Sequence, residues 1–202
     1  MTASLRTYRV LLALLGFSAL VTEVAVLVER GSFTPGNFFS FFTVEGNGFA
    51  VAVLLVSATA GRSRRLDFLR GASTLFMLTT IVVFTLLLSD LDPELLTAVP
   101  WDNTVLHYLM PIGVIIDWLV EPPRELIPFR SALVWLVVPL AYVVYSLVRG
   151  AIVGWYPYPF LDPDESGYLQ VGVVSVGIAV TVTFFAWLVT LVRPRKSPRF
   201  ES

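Results

Sequence analysis

The stretch Trp101–Trp118, WDNTVLHYLMPIGVIIDW, decides how this chain is read. It is mostly apolar, and its length approaches the roughly 20 residues that cross a bilayer as a helix. It holds the only histidine of the protein, His107, and it carries a carboxylate, Asp117, near its far end. Ionisable groups inside an apolar span are costly and mark function by default. Pro111, between the two, predicts a kinked helix.

The rest of the chain has the same character. Of 202 residues, 56% are hydrophobic and 14% charged, and the mean hydropathy is +0.78. A soluble domain of this size could not cover so much apolar side chain with polar surface. The net charge of −1 gives no field that would favour nucleic acid. With no cysteine, disulfides, thiolate metal sites and a cysteine nucleophile are excluded. A metal centre would need ligands beyond the single histidine, and none is expected; nor is any cofactor.

Six apolar runs are expected to be spans, at about Tyr8–Val28, Phe38–Ala60, Gly71–Leu88, Asn103–Val120, Ser131–Val148 and Tyr168–Val192. The fold class is therefore an all-α integral membrane protein, a bundle of six transmembrane helices in one domain over residues 1–202. Arg6 and Arg9 ahead of the first run imitate a signal peptide. That run is longer than the roughly 7–15 residues of a typical apolar signal core, so it reads as a retained span. Arg62, Arg64, Arg65 and Arg70 read as a basic loop, and Asp90, Asp92, Glu94 and Asp102 as an acidic one. With the N-terminus inside, only Arg30 and Arg149 of the 14 basic residues fall in outer loops. Positive-inside bias thus predicts both termini to be cytoplasmic.

This topology sorts the polar residues by depth. Glu23, Thr43 and His107 each lie about four or five residues inside the outer end of their spans. At 1.5 Å per residue, they fall within roughly 5–8 Å of one another in depth. Asp117 lies far deeper and reads as an interfacial residue at the inner rim. His107 is suited to be a general base near neutral pH; the plainer alternative is an interfacial histidine bonded to headgroups or backbone. Thr43 alone would read as structural, bonding a carbonyl one turn back. However, Ser40, Thr43 and Asn47 have the spacing of one helix face, and Asn47 is a candidate donor to an oxyanion. Glu23, Asp102 and Asn103 are candidates to orient or charge His107. The loop 154–167, GWYPYPFLDPDESG, reads either as an interfacial aromatic belt or as a lid.

Three of these stretches together resemble a known family. They are FFTVEGN around Thr43, NTVLHYLMPIGVIIDW around His107, and the loop WYPYPFLDP. In order and spacing they look like the integral-membrane hydrolases related to the androgen-induced-gene product and the androgen-dependent TFPI-regulating protein. The resemblance implies a six-span threonine hydrolase acting on fatty acid esters of hydroxy fatty acids. It places the nucleophile on Thr43, the base on His107, and a substrate loop on Trp155, Tyr156 and Tyr158. The chain departs from the animal members between motifs and has an extra Tyr-Pro step in the loop.

The expected partners are membrane lipids and a lipid ester arriving from the outer leaflet, with no nucleic acid. The expected location is the bacterial inner membrane; the oligomeric state is open. Two other readings stay open. A small transporter or proton-coupled carrier would use Glu23, Glu45, His107 and Asp117 as a polar path through the membrane. A non-catalytic structural protein would show a tightly packed centre without a lipid-sized cavity.

Overall fold

The structure is a computed structural model that describes residues 2–91, 97 and 99–194. Asp92 and Glu94 of the acidic loop, and Arg195, Lys196 and Arg199 of the tail, lie outside the described residues. Among the described residues there is no strand. Six helices are long and apolar enough to cross a membrane: α1 Ala3–Glu29, α2 Phe42–Thr59, α3 Arg64–Leu87, α4 Pro100–Val120, α5 Phe129–Val153 and α6 Tyr168–Thr190. The chain is a multi-pass, all-α membrane bundle. Six crossings put both ends of the chain on one side. Below, the end of the bundle away from the termini is called outer.

The span order agrees with the hydropathy pattern, but several boundaries differ for local reasons. α3 begins seven residues before the expected Gly71, because Ser63 caps it by accepting the Leu66 N–H at 3.1 Å and Asp67 favours its first turn. The arginines at 64, 65 and 70 are thus helical rather than part of a loop. α2 begins four residues later than expected. Its start follows a short helical turn, Pro35–Phe38, and an extended residue, Phe41. Ser40 therefore lies outside α2 and does not share a helix face with Thr43 and Asn47. Its hydroxyl donates to the Gly36 carbonyl at 2.6 Å instead.

α3 is the centre of the bundle. It packs against α2, α4 and α6, and 61% of its span is buried against 22% for α1 and α6. The peripheral helices turn large apolar side chains outward, such as Leu11, Leu14 and Phe17 on α1 and Val173, Val176 and Val180 on α6. On a soluble protein such faces would be a liability; here they are lipid-facing. Where helices meet closely, glycine makes the room: a Cβ on Gly113 of α4 would fall within 2.6 Å of Leu12 of α1.

The inner end is closed by a buried ionic network that joins three spans. Arg9 of α1 bonds Asp117 at 2.6 Å and Glu121 at 2.8 Å. Arg70 of α3 bonds Asp117 at 2.8 Å and Asp67 at 3.3 Å. Further arginine N–H groups donate to the carbonyls of Ser57 and Glu121. Asp117 is 4% exposed, so at this inner end it faces the bundle interior rather than the headgroups. Two guanidiniums that hydropathy assigns to a tail and a loop fold inward to neutralise it, because a buried carboxylate must be paired. Above this network, Leu12, Val51, Leu54, Met77, Met110 and Val114 form a dry apolar layer.

Candidate active site

The outer half of α4 is not a regular α-helix. Pro111 has no N–H, so it cannot donate to the carbonyl of His107 one turn earlier. The turn Val105–Leu109 widens into a π-helix, and the Met110 N–H bonds the Val105 carbonyl five residues back. That leaves the Leu106 carbonyl without its usual partner. Asn47 of α2 supplies one: its Nδ2 donates to Leu106 at 3.1 Å and to the Thr43 carbonyl at 2.8 Å. A buried carbonyl exposed by a π-turn is costly unless met in this way. Asn47 thus splices α2 to α4 at one level. Its amide N–H groups are committed there, so the expected role as oxyanion donor falls away.

The splice brings Thr43 and His107 together. Thr43 Oγ1 lies 3.2 Å from His107 Nε2. The other ring nitrogen, Nδ1, lies 3.1 Å from the Asn103 carbonyl. A carbonyl can only accept, so Nδ1 carries the proton. Nε2 of the neutral ring is then the acceptor, and the Thr43 hydroxyl donates to it. Phe84 of α3 stacks on the imidazole at 4.0 Å and fixes its plane. The expected orienting role of Asn103 is thus carried by its main chain rather than its amide. Glu23 and Asp102 occupy neither ring nitrogen. Glu23 lines the cavity outside the pair, while Asp102 is fully buried with both carboxylate oxygens unpartnered among the described residues.

Thr43 differs physically from the other buried threonines. Thr74, Thr79 and Thr80 lie inside α3, and their hydroxyls donate to carbonyls four residues back. Thr43 is the second residue of α2. The residue four before it is outside the helix, so its hydroxyl has no helical carbonyl to bond and is left for the imidazole. For the same reason its backbone N–H is one of the orphan donors of a helix start.

The loop after α5 closes on this point. α5 ends at Gly154, in the left-handed region at φ +67°, which glycine adopts without strain. Gly150 lets Tyr156 lie flat on α5; a Cβ there would fall 2.0 Å from the ring. Arg149 lies over the Trp155 ring at 5.1 Å and donates to Asn37 at 2.6 Å. Phe41 meets Trp155 and Tyr158 edge-on. The phenol of Tyr158 interacts with the Thr43 hydroxyl and with the Thr43 backbone N–H, and burial pushes it above its usual pKa, which keeps it protonated. Trp155, Tyr156 and Tyr158 are therefore pinned against the site rather than spread as an interfacial belt.

Two cavities meet at Thr43. The outer one has a volume of 540 Å³ and is lined by His107, Glu23, Arg30, Glu165 and the loop aromatics. That volume is in the range of ordinary ligand sites. The second is narrow and apolar, with a volume of about 40 Å³, and it lies between α3, α5 and α6. Among the described residues, Thr43, Tyr158 and Leu88 line both, so these three stand between them. His107 lines the outer cavity alone. Among the described residues, no group of three His, Asp or Glu side chains converges to hold a metal.

No protein-family model matches the chain, and neither the curated proteins nor the solved structures include a match.

Proposed function

We propose that the protein is a membrane-embedded lipid ester hydrolase with Thr43 as nucleophile and His107 as base, located in the cell membrane and, following the resemblance, in a bacterial inner membrane. The observation that carries this reading is the hydrogen bond from the Thr43 hydroxyl to a histidine of fixed tautomer, at the neck of a polar and an apolar cavity. Nucleophile, base and an orienting group behind the base are the arrangement that activates a hydroxyl.

In the first half-reaction His107 Nε2 takes the Thr43 proton as Oγ1 bonds the ester carbonyl carbon. The Tyr158 phenol, which lies beside the Thr43 hydroxyl, is the donor proposed for the developing oxyanion. The carbon–alkoxide bond then breaks, and His107 returns its proton to the leaving alcohol. In the second half-reaction water gives a proton to His107 and attacks the acyl-threonine. The fatty acid leaves and Oγ1 recovers its proton. The low-dielectric surroundings strengthen the oxyanion contacts. No cofactor takes part. Fatty acid esters of hydroxy fatty acids are the substrate class that the sequence resemblance suggests.

A carrier is disfavoured by the apolar layer between the two polar regions. His107 and Asp117 are ten residues apart on α4, about 15 Å, and Met110 and Val114 fill that interval. Glu45 is exposed rather than interior. The test is turnover. Purified protein is incubated with a panel of acyl esters, quenched in acid and digested. The reading expects released fatty acid and an acyl adduct on the peptide containing Thr43. Release that persists in Thr43→Ala, or no release from any ester, would overturn it.

A further inference from the structure

The two cavities differ in chemistry, and His107 assigns their occupants. The leaving alcohol must receive its proton from His107 Nε2, so it lies on the side that His107 lines, in the polar outer cavity. The acyl group then extends to the other side of Thr43, into the narrow apolar pocket. This assignment rests on the hydrolase reading.

The apolar pocket is small, about 40 Å³, and its inner end adjoins a second cavity. Thr79, Val83 and Ile178 line it and also line a shallow apolar groove between α3 and α6. That groove faces the lipid-exposed side of the bundle, where Leu86 and Val173 are turned outward. Ile178 lies ten residues from the outer start of α6, about 15 Å along the helix. In a hydrocarbon layer of about 30 Å this is the midplane. The tail of an outer-leaflet lipid already ends at that depth.

The geometry points to the groove between α3 and α6 as the binding track for a long acyl chain. The chain runs from the acyl carbon at Thr43, through the apolar pocket and past Ile178, and emerges among the lipid tails. On this track Val83 and Ile178 stand between pocket and groove, so a long chain passes between them to reach the lipid, and the substrate enters sideways without leaving the membrane. Gly177 lines the groove, and a side chain added there meets no atom within 4 Å. A larger side chain at 177 therefore enters the groove without disturbing helix packing.

The test is Gly177→Phe, with Gly172→Phe as control. Gly172 is on the same helix, also has open space at its Cβ, and lines none of these cavities. Hydrolysis of palmitoyl and butyryl esters of one alcohol is compared in the full-length protein in lipid nanodiscs. Gly177→Phe is expected to lower kcat/KM for the palmitoyl ester by roughly tenfold or more, as crowding of an apolar pocket does. It should leave the butyryl ester unchanged, and Gly172→Phe should alter neither. An unchanged palmitoyl-to-butyryl ratio in Gly177→Phe, or an equal loss in both glycine variants, would overturn the track while leaving Thr43-dependent hydrolysis standing. Absence of hydrolysis in the wild type would overturn the reading on which the track rests.

Discussion

The bundle holds two buried polar centres on the same helix, and they are built on opposite principles. At the inner end of α4, Asp117 is surrounded by donors from two arginines and lines neither of the cavities that meet at Thr43. At the outer end, His107 has one hydrogen bond on each nitrogen, and one partner is a hydroxyl that opens onto two cavities. The inner centre is charged and densely paired, so it locks α1, α3 and α4 in register. The outer centre is neutral and incompletely enclosed, with its reactive atom at a neck. Burial alone does not mark function in a membrane protein; a polar group that still has something to do chemically, beside space for a ligand, does.

The contrast can be broken from the inner side first. Asp117→Ala leaves two buried arginines short of a partner and should cost about 3–5 kcal/mol. Thermal unfolding in detergent would show a large loss of stability, while the fraction that remains folded should keep the wild-type reactivity of Thr43. Equal loss of reactivity per folded molecule would mean the two centres are coupled.

Pro111→Ala sharpens it from the other side. The restored N–H can bond the His107 carbonyl and let the π-turn relax into a regular helix, which turns the imidazole away from Thr43. A misplacement of about 1 Å is enough to lower activity roughly a hundredfold. Stability should stay level or rise, since a proline is removed from a helix interior. Retained activity with a raised melting temperature would contradict the assigned role of the π-turn.

Asn47→Ala is expected to cost the fold less than Asp117→Ala and the chemistry less than Pro111→Ala. It strands the Leu106 carbonyl, at about 1–3 kcal/mol, and loosens the splice between α2 and α4. Melting temperature and the reactivity of Thr43 should fall together. A loss of reactivity with no loss of stability would instead return Asn47 to the oxyanion role.

The six spans were legible in the sequence because runs such as Val10–Val28 and Val171–Val192 are apolar over nearly their whole length, and hydropathy reads that directly. The start of α3 was not. Arg64 to Arg70 carry charge, and charge reads as loop until Asp117 on a distant helix is known to need Arg70. That Thr43 and His107 lie at one depth was legible from their positions in the spans. The reason they touch was not: the π-turn arises from what Pro111 cannot donate, and its stabilisation comes from Asn47, 59 residues away from Leu106. Tyr158 was legible as a loop aromatic but not as a neighbour of the Thr43 hydroxyl, because that depends on Gly150 and Gly154 folding the loop inward.

The most direct test of the outer centre is labelling of the purified protein with an alkyl fluorophosphonate, followed by peptide mapping, in the wild type, Thr43→Ala, His107→Ala and Asp117→Ala. The account predicts a phosphonyl adduct on Thr43 that is lost in the first two variants and retained by the folded fraction of the third. An adduct elsewhere, or labelling that survives in Thr43→Ala, would contradict it.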